Sequence, residues 1–125
     1  MKIVIFGGTF DPPHLGHYQI ICRCLTICDK IILVPTKQSP HKNLKPSASV
    51  EDRKKMLQLM ISEISGDIVI DNFELESNDT SNYTIDTIKY LNQKYISAKL
   101  FLVLGQDQYN NLNKWKSYKK IKDLV

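Results

Sequence analysis

Apolar residues in this chain fall into short continuous runs separated by stripes of helical spacing. Ile3-Val4-Ile5-Phe6 is a run of strand length. From Leu15 to Ile27 a helix is predicted, because apolar or thiol side chains recur at Ile20, Ile21, Cys24, Leu25 and Cys28. Lys30-Ile31-Ile32-Leu33-Val34 is a second apolar run, closed by Pro35. Strand, helix and strand in this order make a βαβ unit, so the two strands should be parallel and the crossover right-handed.

Residues 35–48 hold three prolines and three lysines and predict a loop, long for a connection inside a compact domain. Ser49 reads as an N-cap, with Glu51 and Asp52 in the first turn of a second helix. Met56, Leu57, Met60, Ile61 and Ile64 form its apolar face, and Gly66 stops it. Asp67-Ile68-Val69-Ile70-Asp71 predicts a third strand, and Phe73-Glu74-Leu75-Glu76 alternates as an exposed extension would. After a polar loop, 77–82, a helix is predicted over Tyr83–Tyr95, packed through Ile85, Ile88 and Leu91. Lys99 to Leu104 predicts a fourth strand, ended by Gly105. The remainder is polar, helical or turn-like, with Trp115 as its large apolar side chain. Strands and helices alternate throughout, which gives an α/β class with a parallel sheet flanked by helices.

Composition adds bounds. The chain has 125 residues, 42% hydrophobic and 24% charged, enough for one domain with a modest core. No apolar run approaches the roughly 20 residues of a membrane span, and the N-terminus runs directly into a strand. No membrane association is expected, and the cytoplasm is the expected compartment. The net charge of +4 is local. Residues 1–113 carry 12 basic and 12 acidic side chains, while Lys114, Lys116, Lys119, Lys120 and Lys122 face only Asp123 in the last stretch. A solvated helix face explains that segment better than a nucleic-acid patch, so no nucleic-acid partner is expected. Cys22, Cys24 and Cys28 lie on one predicted helix without the partners of a tetrahedral metal site, and read as small packed residues rather than metal ligands.

The chemistry concentrates between the first strand and the first helix, in Phe6-Gly7-Gly8-Thr9-Phe10-Asp11-Pro12-Pro13-His14-Leu15-Gly16-His17. Two glycines at a strand exit allow a sharp bend and close approach to a ligand. Free peptide N–H groups at a helix start attract phosphate, and two imidazoles sit at that start. The other distinctive stretches, the 35–48 loop and Gly105-Gln106-Asp107, also follow strand ends, where parallel sheets bind ligands.

Gly-Gly-Thr-Phe-Asp-Pro followed by His-x-Gly-His resembles the signature of the nucleotidyltransferase superfamily. Pro40-His41-Lys42, Asn82-Tyr83-Thr84-Ile85-Asp86-Thr87, and Gly105-Gln106-Asp107 with Trp115 eight residues on narrow the resemblance. In this order they are similar to the bacterial nicotinate-nucleotide adenylyltransferases, over essentially the whole chain. The resemblance implies a Rossmann-like fold that joins ATP and nicotinate mononucleotide, giving deamido-NAD and pyrophosphate, with Mg²⁺ carried on the ATP. By position it implies catalytic roles for His14 and His17. ATP or phosphate contacts fall to Gly7, Gly8, Thr9, Phe10, Lys42, Gly105 and Asp107, and mononucleotide contacts to Tyr83, Thr84 and Trp115. Trp115 could instead anchor the last helix, Asp11 could equally bind phosphate or fix the bend, and Arg53 could merely pair with an acid on its own helix. The family's later Ile-Ser-x-Thr-x-Ile-Arg-like motif has no counterpart here. The domain, 1–125, is therefore expected to be incomplete relative to the family, with a sheet edge open to self-association. Two alternatives stay open: a non-catalytic nucleotide-binding fragment, and an adenylyltransferase with another acceptor such as pantetheine phosphate.

Overall fold

Side chains of a strand point alternately to its two faces, and the first two runs are apolar at every position, so both faces must be covered. The computed structural model describes residues 1–37, 46–77, 83–104 and 109–125. Strands β1 (Lys2–Gly8), β2 (Lys30–Pro35), β3 (Ile68–Ile70) and β4 (Lys99–Leu102) form one sheet of order β3-β2-β1-β4. All three pairings are parallel, with Ile5 opposite Ile32 on one side and Leu102 on the other. Helices α1 (Leu15–Cys24) and α2 (Val50–Ser62) belong to the first half, and α3 (Phe73–Glu76), α4 (Thr84–Lys94) and α5 (Tyr118–Leu124) to the second. A 3-10 turn, Leu112–Lys114, precedes α5.

The strand alternation sorts the core into two layers. Ile3, Ile5, Ile32 and Val34 meet Ile85, Ile88 and Leu91 of α4 and Ile121 of α5. Val4, Phe6, Ile31 and Leu33 meet Ile21 of α1, Leu57 of α2 and Phe10. Each such side chain contributes about 1.5–3 kcal/mol by leaving water. Cys24 and Cys28 pack against the second layer as expected, and burial raises both thiol pKa values. Cys22 is half-buried and lies outside both layers, contrary to the expectation of a packed residue. In the basic C-terminal stretch Ile121 turns inward, while Lys119, Lys120 and Lys122 are exposed, as a solvated helix face requires. Among the described residues no helix is long and apolar enough to cross a membrane.

One segment takes a different secondary structure from the one its pattern predicts. Phe73–Glu76 is a single helical turn, not an extended continuation of β3. The Asp71 carboxylate accepts from the Phe73 N–H at 2.9 Å and bends the chain at once. Glu74 then turns inward, where Thr87 of α4 donates to its carboxylate at 2.5 Å. The alternation of apolar and acidic residues carried no trace of that partner. Boundaries also differ: α1 ends at Cys24 rather than Ile27, and β4 at Leu102 rather than Leu104. Helix α2 ends at Ser62, and Gly66, at φ +153°, is a later turn residue packed against Leu25.

Candidate functional site

Gly7 and Gly8 are the last residues of β1, opposite Val34 and Pro35, so the bend leaves the carboxyl end of a central strand. A methyl group on Gly7 would meet nothing nearer than the Val34 carbonyl at 3.7 Å, and one on Gly8 would touch the Phe10 ring at 3.5 Å. Phe10 holds a positive φ of 52° and is nearly fully buried. A non-glycine residue is rare in that region of backbone space, so the burial of its ring helps to hold the bend.

The bend delivers His14 to the N-cap of α1 and His17 to its first turn. The two imidazoles stack, with centroids 3.8 Å apart and planes 21° from parallel. The Gly16 N–H donates to His14 Nδ1 at 3.1 Å, and the His14 N–H donates to His17 Nδ1 at 3.0 Å. A peptide N–H can only donate, so both Nδ1 atoms must be unprotonated acceptors. Each neutral ring therefore carries its proton on Nε2, which is its one hydrogen-bond donor. Gly16 has a steric reason to be glycine: a Cβ there would lie 2.8 Å from the His14 ring.

His17 also packs edge-on against Phe10, centroids 4.9 Å apart, and tilted on Phe6 at 5.8 Å. Burial on this aromatic wall, and then the neighbouring His14, lower its pKa from 6.5 to about 4. Near neutral pH the ring is an uncharged Nε2–H donor.

Asp11 is resolved toward fixing the bend. Its carboxylate accepts from the Ser47 N–H at 2.5 Å and the Ala48 N–H at 2.9 Å, tying the bend to the entrance of α2. Those two peptide donors lower its pKa. Arg53 does not pair with an acid along its own helix. It is 2% exposed and donates to main-chain carbonyls of the bend and of the segments beside it. A sequence signal existed: a cation in the first turn of a helix opposes the helix dipole and must find its partners elsewhere.

Tyr83 is the N-cap of α4 and Thr84 its first residue, and the Tyr83 side chain makes no capping hydrogen bond. The Tyr83 ring is 39% exposed, and the Lys116 ammonium lies 4.7 Å from its centroid. Lys116 belongs by sequence to the basic stretch of a solvated helix face, with no pattern that marks this ring contact. Trp115, just after the 3-10 turn, packs partly against the core layer that holds Ile121, so its indole serves as an anchor for α5. Lys42, Gly105 and Asp107 lie outside the described residues, as do His41, Gln106 and Asn82. The structure thus gathers Gly7, Gly8, Thr9, Phe10, His14 and His17 into one bend. Tyr83, Thr84, Lys116 and Trp115 belong to the α4–α5 side of the sheet. Among the described residues, no three His, Cys, Asp or Glu side chains cluster as metal ligands would.

Known proteins resemble this chain in sequence and in fold. A family model described as cytidylyltransferase-like matches residues 5–125. A Leptospira borgpetersenii protein named "probable nicotinate-nucleotide adenylyltransferase" is 43% identical over 97% of this chain, which spans 62% of that relative. An Aquifex aeolicus protein of the same name is 39% identical, and this chain covers 72% of its length. The solved structure of Plasmodium falciparum nicotinic acid mononucleotide adenylyltransferase complexed with NaAD superposes with a TM-score of 0.81 at 22% identity. The match covers 96% of this chain and 59% of that one, and shows the shared fold.

Proposed function

The chain belongs to the cytidylyltransferase-like family, and from that premise we propose that it transfers the adenylyl group of ATP to nicotinate mononucleotide in NAD biosynthesis. The products are deamido-NAD and pyrophosphate. The observation that carries the reading is the stacked His14–His17 pair, whose Nδ1 atoms are occupied by peptide donors, so that Nε2–H is the group each ring can offer a ligand. The names of relatives 43% and 39% identical support the choice of acceptor.

In this reaction an oxygen of the mononucleotide 5′-phosphate bonds to the α-phosphorus of ATP. The bond from that phosphorus to the bridging oxygen breaks, and pyrophosphate leaves with the electron pair. Mg²⁺ enters with ATP as part of the substrate. The protein's part is to position two anions and to neutralise charge as it builds. His14 and His17 donate from Nε2 to triphosphate oxygens, and the bend through Gly7, Gly8, Thr9 and Phe10 lets the phosphates approach the main chain. On the pyridine side, the Tyr83 and Thr84 amides receive the nicotinate carboxylate and Trp115 offers an aromatic face. Lys42, Gly105 and Asp107 complete the ATP side by resemblance.

The test is to incubate the chain with ATP, Mg²⁺ and nicotinate mononucleotide and to follow pyrophosphate. Release should depend on the mononucleotide and fall when nicotinamide mononucleotide or pantetheine phosphate replaces it. His17→Ala should lower the rate by about 100- to 1,000-fold, the usual cost of one pre-placed donor. A near-normal rate in that variant, or ATP binding without any pyrophosphate, would reject the reading.

A further inference from the structure

The Arg53 guanidinium touches three separate segments at the mouth of the site. Its Nη1 donates to the Thr9 carbonyl at 2.8 Å, inside the glycine bend. The same atom donates to the Thr36 carbonyl at 2.6 Å, and Nη2 to the Lys37 carbonyl at 3.3 Å, both just past the end of β2. Nε donates to the Ala48 carbonyl at 3.3 Å, at the entrance to α2. Among the described residues no carboxylate lies within ion-pair distance of it. A charge this buried would ordinarily be paired with an acid. Here the direct partners are main-chain carbonyls of the two strand exits and the α2 entrance, and the Asp11 carboxylate, beyond ion-pair distance, adds a favourable charge interaction. Asp11 ties the bend to Ser47 and Ala48 a second time, so the two strand exits and the α2 entrance form one braced unit.

We propose that Arg53 is a positioning residue for the triphosphate. It fixes the Thr9 peptide against the end of β2, and thereby sets the approach of the Gly7–Phe10 backbone and the His14–His17 pair to the phosphates. The inference rests on the triphosphate reading above and adds a residue that does not touch the ligand. Lysine at this position offers one nitrogen and cannot span carbonyls on three segments, so it keeps charge and bulk while losing the brace.

The experiment titrates ATP into the wild-type chain, Arg53→Lys and Arg53→Ala, with thermal melts alongside. Arg53→Lys should melt within about 5 °C of wild type yet bind ATP about tenfold or more weakly, the scale of lost charged hydrogen bonds. Millimolar guanidinium should restore ATP affinity to Arg53→Ala, and methylammonium should not. A folded Arg53→Lys with wild-type affinity overturns the inference. In wild type, where folding is not at issue, the Arg53 Nε–H resonance should shift when ATP is added, and a fixed resonance also overturns it. Failure of the wild-type chain to bind ATP would instead bring down the triphosphate reading, and this inference with it.

Discussion

Lowering the pH should loosen the bend through His17. The neutral ring accepts from the His14 N–H through Nδ1. Protonation places a hydrogen on that same nitrogen, facing another donor, and puts a charge on the wall formed by Phe6 and Phe10. The unfolded chain takes up this proton below about pH 6.5, the folded chain only near pH 4. The stability that the neutral ring contributes is therefore complete above pH 6.5 and is lost as pH falls from 6.5 to about 4. At full value that interval converts to about 3 kcal/mol. Because part of the ring faces water, which screens it, about 1–2 kcal/mol should remain. The comparison variant is His17→Gln, since glutamine at this helix position can accept the same N–H without titrating. Melts of both proteins between pH 7.5 and pH 4 share every other titrating group, so their difference reports His17 together with its coupling to His14. Wild type should lose roughly 3–8 °C relative to His17→Gln across that window. Parallel curves, or a nuclear magnetic resonance titration placing the ring near its ordinary value, would refute the coupling of bend, wall and cap.

Four further outcomes are expected. Gly16→Ala should displace the His14 ring, which a Cβ would approach to 2.8 Å, and weaken ATP binding while α1 keeps its helicity by circular dichroism. Glu74 has its pKa raised, first by burial and against the pull of the Thr87 hydroxyl, so its protonated form is favoured in the fold. Its contribution to stability is present below the ordinary glutamate value and lost as pH rises through the raised one, so Glu74→Gln should gain in melting temperature over wild type as pH is raised. Lys116→Met should reduce the preference for nicotinate over nicotinamide mononucleotide by about tenfold in competitive turnover, through loss of a cation beside the α4 amides. Trp115→Ala should cost about 2–4 kcal/mol in denaturant melts, because its indole packs on the core, and should weaken mononucleotide binding more than ATP binding.

Local chemistry wrote much of this protein into its sequence. The alternation of apolar runs and helical stripes determined four parallel strands with helices between them, because side-chain period is a property of each element alone. The Gly-Gly bend followed by His-x-Gly-His was legible too, since its spacing is set within one turn of helix. Tertiary structure decided what those residues meet. Glu74 looked like one face of an exposed strand until Thr87, thirteen positions away, supplied a hydroxyl inside the core. Arg53 looked like a surface partner, but its acceptors are peptide carbonyls of Thr9, Thr36, Lys37 and Ala48. Every residue carries a carbonyl, so such partners leave no mark in a sequence and exist only once the chain has brought distant segments together. The depressed pKa of His17 has the same origin: the imidazole was visible from the start, and the aromatic wall that keeps it uncharged is made by the fold.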